Sequence, residues 1–552
     1  MEKSMAGKAK AADWKIEDAK RLSHSKLWEL QRNYFHHKGI DAWKGEVPFY
    51  VSSNCFIAHA YAQMVFRLIQ QTYIQTPQLP LAFQIIELGA GTGKFSYYFL
   101  RFFLDLIASS RLPITFCYTI TDFSEKMIDS IQNNHSFTEL RKQLGDDQEI
   151  AFSVWDFEKN QENTQAVLKP NYTPIIIANY VFDCIAHDKF YIENNTLEEV
   201  QIALSNRYLK FDSAAPKTLR DLEFKQTHVT VDANTYYSDP KLNNILKNYT
   251  ENLLSGTEFC LPVGAFQFIN LLDNAQPYYL LIGDKGLSSQ ADFDATQKRE
   301  LMSYDGCYSF LLNFEALNQY YEQIGGAYIG TDYVYTFGVH LYGNAQANKN
   351  IQACEKDFNV LFSDFGPKEY LSICQEYQGS CYRFKLDSII DFIKLSHYDP
   401  DAYGIIHDRL IELTPAINDY NKLNILSTIE KVEKNIYVLG SSFDTYNLLG
   451  IFYQVLGDVK KAEALFKQSI DILGPSGPTY HNLGILYTKI KDKNAAIVSF
   501  EKSLEIEQKN SLAKRKLRFL KGGFLAGIII PLSKIVVIIL TILAMYIIFT
   551  KI

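Results

Sequence analysis

The sequence predicts a doubly wound α/β domain, then an all-α domain, then a C-terminal transmembrane helix. Three observations carry this reading. Between residues 83 and 341 short apolar strands alternate with amphipathic helices, the pattern of a parallel sheet with crossover helices. From Pro367 onward only helical periodicity remains, and Tyr446–Ser503 superposes on itself at a shift of 34 residues. Near the end, Phe524–Phe549 is apolar apart from Ser533, Lys534 and Thr541. At 552 residues the chain is too long for one ordinary domain, and 47% apolar residues supply sizeable cores. A net charge of −7 argues against a general nucleic-acid binder, whose footprint is basic. The eight cysteines form no CxxC or Cys/His cluster, so they read as reduced thiols, with no metal site.

Residues 1–13 read as a leader without the apolar core of a signal peptide, so nothing argues for secretion. Trp14–Arg21 and Ser25–His37 follow as helices by pattern. His36 and His37 are neighbours on a helix and point about 100° apart, which suits a solvated face better than a metal pair. Val47–Asn54 reads as extended, and Phe56–Tyr73 as a helix. The strands expected next are Phe83–Glu87, Ile114–Thr121, Ile150–Trp155, Ile175–Ala178, Tyr278–Ile282 and Tyr333–Leu341. The helices among them are Lys94–Ser109, Ser124–Asn133 and Phe314–Ile324. Residues 190–262 interrupt the alternation with a strand-like part (Leu219–Val231) and a helix (Asp239–Leu254). Such a long connection reads as a lid or substrate-side insertion. Gln346–Asp357 reads as polar linker. Helices are then expected at Tyr370–Tyr377, Leu386–Leu395, Asp401–Glu412, Ala416–Ile425 and Thr428–Leu439. The resulting division is 1–44, 45–345, a linker at 346–364, a helical domain at 365–513, and a basic flank with the apolar segment at 514–552.

The chemistry is concentrated where strands end. Glu87-x-Gly89-Ala90-Gly91-x-Gly93 closes the first strand of the α/β pattern and opens a helix. Glycines at alternate positions let backbone approach a ligand with no Cβ in the way, and the helix start offers unpaired N–H groups. Lys94 stands where GxGxxG would have its third glycine, and Phe95 stands where a P-loop would have Ser or Thr. Asp122 ends the second strand and Asp156 the third, so three acids share the carboxyl edge where open sheets bind ligands.

This spacing resembles motif I of the class I S-adenosylmethionine-dependent methyltransferases. The resemblance implies a Rossmann-like methyltransferase domain that takes S-adenosyl-L-methionine as cofactor. It implies that Glu87, Gly89, Ala90, Gly91 and Gly93 form the cofactor loop and that Asp122 with Phe123 meets the ribose. It likewise places Asp156 and Phe157 at the adenine. With Ala178-Asn179-Tyr180-Val181-Phe182-Asp183 and Leu261-Pro262-Val263-Gly264-Ala265, the stretch 45–345 is similar to the MidA-like methyltransferases, which include mitochondrial protein arginine methyltransferases. That likeness implies methylation of a protein side-chain nitrogen. It puts Asn179 at the cofactor and, with Asp183, toward the methyl acceptor as the catalytic pair. Asp183 also reads as a helix N-cap. The family has Asn-Glu where this chain has Asn179-Tyr180, so a carboxylate able to grip a guanidinium is missing.

The 34-residue period aligns Leu449-Gly450 with Leu483-Gly484, Tyr453 with Tyr487, Ala462 with Ala496 and Phe466 with Phe500. It resembles the tetratricopeptide (TPR) repeat, with units at 443–476 and 477–510, and implies a protein partner held in a concave surface. The helices before residue 440 read as degenerate units. The 26 residues of Phe524–Phe549, at ~1.5 Å each, reach about 39 Å, enough for a ~30 Å hydrocarbon core. The basic stretch Lys514–Lys521 before it marks the cytoplasmic side, which makes the segment a tail anchor with the main domains facing the cytoplasm. A lipid or small-molecule methyltransferase at the membrane, and an adaptor that no longer turns over, are the competing readings.

Overall fold

The computed structural model describes residues 14–43, 50–76, 81–110, 112–159, 164–208, 210–217, 219–272, 276–294, 302–304, 307–332 and 337–522. Its first compact unit runs to Gly379 and includes Leu395–Asp399; the second takes Ser380–Lys394 and continues from Pro400.

The strands of the first unit, in chain order, are β1 (Trp14–Lys20), β2 (Leu81–Leu88), β3 (Ile114–Asp122), β4 (Gln148–Val154), β5 (Thr173–Asn179), β6 (Asp188–Glu193), β7 (Thr196–Asn206), β8 (Leu222–Thr230), β9 (Glu258–Leu261), β10 (Tyr279–Leu287), β11 (Met302–Tyr304), β12 (Cys307–Ser309), β13 (Leu312–Asn313), β14 (Ala327–Gly330) and β15 (Phe337–Gly343). The main sheet has the order β14-β15-β10-β5-β2-β3-β4, with β13 beside β10. Strands β4, β3, β2, β5 and β10 run parallel, and β15 is antiparallel to both β10 and β14. The central strand β2 is buried from Phe83 to Leu88, so its apolar residues run continuously where a half-exposed strand would alternate. From β2 the chain builds outward to β3 and β4, then returns to place β5 on the other flank of β2. That reversal opens a crevice at the carboxyl ends of β2 and β5. Helix Lys94–Ser110 covers one face, stacking Phe95, Phe99 and Phe103 at one-turn spacing.

A second sheet, all antiparallel, has the order β1-β7-β6-β9, with β8 also on β7. It is what residues 190–262 build. Its core is Val200, Ile202 and Leu204 against Leu27, Leu30 and Tyr34 of helix Leu27–Lys38.

Several sequence expectations are corrected here. Trp14–Arg21 is not helical: Trp14–Lys20 pairs with Ile202–Asn206. Its Lys, Glu and Ala favour a helix locally, and a partner 180 residues away overrides that preference. Residues 50–53 form turns, where an extended run was expected; Asn54 accepts the N–H of Ile57 at 3.0 Å and caps helix Cys55–Gln75. Residues 47–49 and 333–336 of the expected segments lie outside the described residues. Gln346–Asp357 is no linker. Helix Asn348–Phe358 buries Ile351, Cys354 and Phe358, and Asn350 donates to Thr72 at 3.1 Å. Asp183 caps no helix; it lies in a turn that leads into β6. Residues 416–439 hold one helix, Asp419–Lys434, begun by a capping box of Asn418 and Asn421.

In the second unit two helix pairs, Thr445–Leu456 with Val459–Leu473 and Gly477–Lys489 with Lys493–Ile506, repeat one packing arrangement. A Cβ on Gly450 would lie 2.5 Å from the Phe466 ring, and one on Gly484 2.7 Å from Phe500. Ala462 and Ala496 are fully buried at matching places. Asp444, Asp458 and Asp492 each accept a backbone N–H at a helix start. No described helix is long and apolar enough to cross a membrane. The transmembrane segment expected at 524–549 lies outside the described residues.

Candidate active site

The loop after β2 is built by backbone that a side chain would forbid. Gly89, Gly91 and Gly93 have φ of 60°, 56° and 73°, the left-handed region that glycine enters without penalty. The Ala90 amide donates to the Thr121 carbonyl at 2.9 Å, so the loop is laced to β3. The Gly91 amide donates to Asp122 Oδ2 at 3.1 Å, and the Ser124 amide to Oδ1 at 2.9 Å. Burial raises Asp122 to about 6, against the pull of these backbone N–H groups. Asp122 lines the cavity, where a carboxylate can accept from a vicinal diol. Glu87 turns inward: Ser96 and the Tyr118 hydroxyl (2.7 Å) both donate to its Oε2. Burial pushes Glu87 to about 7, and those two donors oppose the rise. Glu87 is thus tied to the helix and to β3 by one oxygen while it also lines the cavity.

At the end of β4, Asp156 Oδ2 faces Arg32 Nε at 3.6 Å, and the same guanidinium pairs with Glu158. Burial raises Glu158 and the Arg32 charge opposes it. Phe157 packs on Phe268 with ring centroids 4.9 Å apart.

At the end of β5, Asn179 Oδ1 accepts from the Tyr61 hydroxyl at 2.7 Å, and Asn179 Nδ2 is buried with no hydrogen-bond partner among the described residues. Gly283 makes room for this pair, since a Cβ there would sit 2.4 Å from Asn179 Oδ1 and from the Tyr61 oxygen. Tyr180 takes φ of 52°, rare for a residue with a side chain, and packs edge-on to Phe337. The Asp183 amide donates to Asp284 Oδ2 at 3.2 Å, and both side chains are buried. Burial raises both, and the Asp183 charge adds to the rise at Asp284. Lys285 counters part of that charge. The neighbouring Cys184 thiol is pushed well up by its contact with Cys307 and by burial, which keeps it un-ionised.

One cavity of about 210 Å³ joins these places. Glu87, Gly89, Ala90, Gly91, Asp122, Phe123, Asp156, Phe157, Asn179 and Asp183 line it; Gly93 does not, and instead turns the chain into the following helix. Sequence reasoning missed Arg32, Trp43, Tyr61, Asp284 and Lys285. Asp284 lies just past the expected strand Tyr278–Ile282, so the strand-end logic applied to Asp122 would have found it. Lys285 follows Asp284 on β10, and Arg32, Trp43 and Tyr61 sit on helices and a turn whose place beside the cleft has no local signal.

Sheet order, glycine loop and strand-end acids define a methyltransferase-like α/β domain with mixed sheets, followed by a helical repeat region. Residues 61–328 match the model of a family described as "putative S-adenosyl-L-methionine-dependent methyltransferase", and residues 441–509 match a tetratricopeptide-repeat model. The α/β domain is an S-adenosylmethionine-dependent methyltransferase, with S-adenosylmethionine its cofactor. Similar solved structures include a Burkholderia thailandensis protein bound to S-adenosyl-homocysteine (12% identity, 56% of this chain and 74% of that one, TM-score 0.38). A second protein from that organism gives 11% identity, 60% and 88% coverage and TM-score 0.38. The Synechocystis magnesium protoporphyrin IX methyltransferase with bound S-adenosylmethionine gives 13% identity, 58% and 96% coverage and TM-score 0.25. No curated protein matches the chain in sequence.

Proposed function

We propose that the enzyme methylates a side-chain nitrogen on a partner protein held by its tetratricopeptide repeats, and that residues 524–549 tether it to a membrane with the main domains facing the cytoplasm. The observation that carries the acceptor chemistry is the buried carboxyl pair Asp183–Asp284 beside the unpartnered Asn179 amide. The cofactor fits the other end of the cleft. Its loop has the positive-φ backbone that lets a ligand lie against it, and Asp122 keeps free lone pairs. Asp122 would hold the ribose hydroxyls, Phe123 and Phe157 the adenine faces, and Asp156 the adenine amino group. S-adenosylmethionine, when bound, supplies a methyl group already activated by a sulfonium.

The chain's own work is then alignment, exclusion of water and removal of one proton. Asn179 positions the acceptor, with Tyr61 fixing its carbonyl. Asp183, raised to about 6 by burial, is an anion above that pH; it attracts a cationic nitrogen and takes its proton. Tyr180, where the MidA-like family has Glu, offers no second carboxylate, so these two acids are the acidic groups at the acceptor end. The family resemblance and the repeats support a protein substrate. The apolar run and its basic flank support the tether.

The test is methyl transfer from labelled S-adenosylmethionine into a cell lysate by the full chain. Label is expected in protein, and label confined to lipid would sink the protein-substrate reading. Asp183→Asn is expected to lower transfer by about 10²-fold or more while S-adenosylhomocysteine binding stays within about threefold.

A further inference from the structure

We propose that the N-terminal segment Leu27–Trp43 is the outer wall of the cofactor cleft, and that the Trp43 indole contacts the nucleoside half of the cofactor. The inference rests on the methyltransferase reading of the cleft. It concerns a part of the chain outside the family match, which begins at residue 61.

Helix Leu27–Lys38 ends at Gly39, whose φ of 54° reverses the chain into the short turn Gly39–Trp43. The turn lays Trp43 directly on the glycine loop: a Cβ on Gly91 would lie 2.5 Å from the indole Nε1. Gly91 is also the residue whose amide holds Asp122. Phe35 packs edge-on to Trp43 with centroids 5.1 Å apart and faces Phe123 at 6.3 Å, while His36 meets Phe123 at 5.1 Å. One turn back, Arg32 reaches Asp156 and Glu158. One helix and its closing turn therefore touch the ends of β2, β3 and β4, the three strand ends assigned to the cofactor.

Phe35 and Trp43 line the same cavity as Gly89–Thr92, Asp122 and Phe123. A flat aromatic base held at Asp122 and Phe123 therefore lies within reach of the Phe35 and Trp43 rings. Stacking on such rings is sequence-tolerant, apolar and strong enough to dominate how a nucleoside is held. Arg32 acts differently, as a positioning residue. Without it Asp156 and Glu158 would repel, and Asp156 would lose the partner that fixes its carboxylate.

Calorimetry on the full chain with two probes, S-adenosylhomocysteine and adenosine, tests this. Trp43→Ala is expected to weaken both by the same factor, roughly tenfold, and Trp43→Phe to stay within about threefold. Equal affinity of wild type and Trp43→Ala for both probes, with Asp122→Ala weakening binding by about 100-fold, would overturn the wall while leaving the cofactor site intact. Absence of wild-type binding to S-adenosylhomocysteine would overturn the cleft assignment itself, and the wall with it. Should Trp43→Ala fail to fold, Trp43→Leu keeps apolar bulk without the aromatic face and is expected to show the same drop.

Discussion

The cofactor loop and the helical repeats both depend on glycine, and for opposite reasons. At Gly89, Gly91 and Gly93 the backbone itself is in the left-handed region, so any Cβ is penalised however much space surrounds it. At Gly450 and Gly484 the backbone is ordinary helix, and what excludes a side chain is the ring of Phe466 or Phe500 across the helix pair. Polar groups divide the same way. The cleft buries Glu87, Asp122, Asp183 and Asp284 and raises all four. The repeats use Asp444, Asp458 and Asp492 as helix caps, in the usual manner of a stable scaffold. Clusters of perturbed acids mark sites that bind and react, so the contrast separates the reactive region from the supporting one on physical grounds.

Four experiments would break or sharpen that contrast. Asp122→Ala removes a charged acceptor pair and is expected to lower S-adenosylhomocysteine affinity by about 100-fold, or about 3 kcal/mol, by calorimetry. Gly91→Ala and Gly450→Ala form the direct comparison. The first is expected to lower affinity at least tenfold, through about 1–2 kcal/mol of backbone strain and the clash with Trp43. The second is expected to leave affinity unchanged and to lower stability by about 1–3 kcal/mol, seen in thermal unfolding. If both lose binding, the two kinds of glycine are not separable.

The third experiment is a pH series. Asp122 is raised to about 6, so it is an anion above that pH and carries a proton below it. Ribose hydroxyls donate best to the anion. Affinity is therefore expected to be flat above about pH 7 and to fall as pH drops through 6, approaching tenfold per unit, and Asp122→Asn should flatten the curve. A rise in affinity toward low pH would contradict the assignment. The smallest effect is expected from Asp458→Ala, a lost helix cap worth about 1 kcal/mol in thermal unfolding, with no change in binding.

How much of this was legible in the sequence follows from the range of the forces involved. The alternation of β2, β3, β4 and β5 with helices, the glycine loop and the strand-end acids are all written within a few residues, because periodicity and turn chemistry act locally. The 34-residue repeat is legible for the same reason. The strand at Trp14–Lys20, the helix at Asn348–Phe358 and the Arg32 bridge depend on partners up to 278 residues distant. In Asn348–Phe358 the apolar spacing of Ile351, Cys354 and Phe358 was present, masked by the polar residues between them. Tyr180 is different again: its φ of 52° is imposed by the loop's packing, and no sequence pattern around it calls for a left-handed turn.

The pairing of β1 with β7 also sets a timetable. Trp14 lies opposite Asn206, so β1 waits for 192 residues of further synthesis before its partner exists. At about 5–20 residues per second that wait is on the order of 10–40 s. For that interval β1 is unpaired chain carrying an apolar Trp14 and Ile16. The second sheet is thus closed only after β7 has been made, by a strand that takes no part in the chemistry.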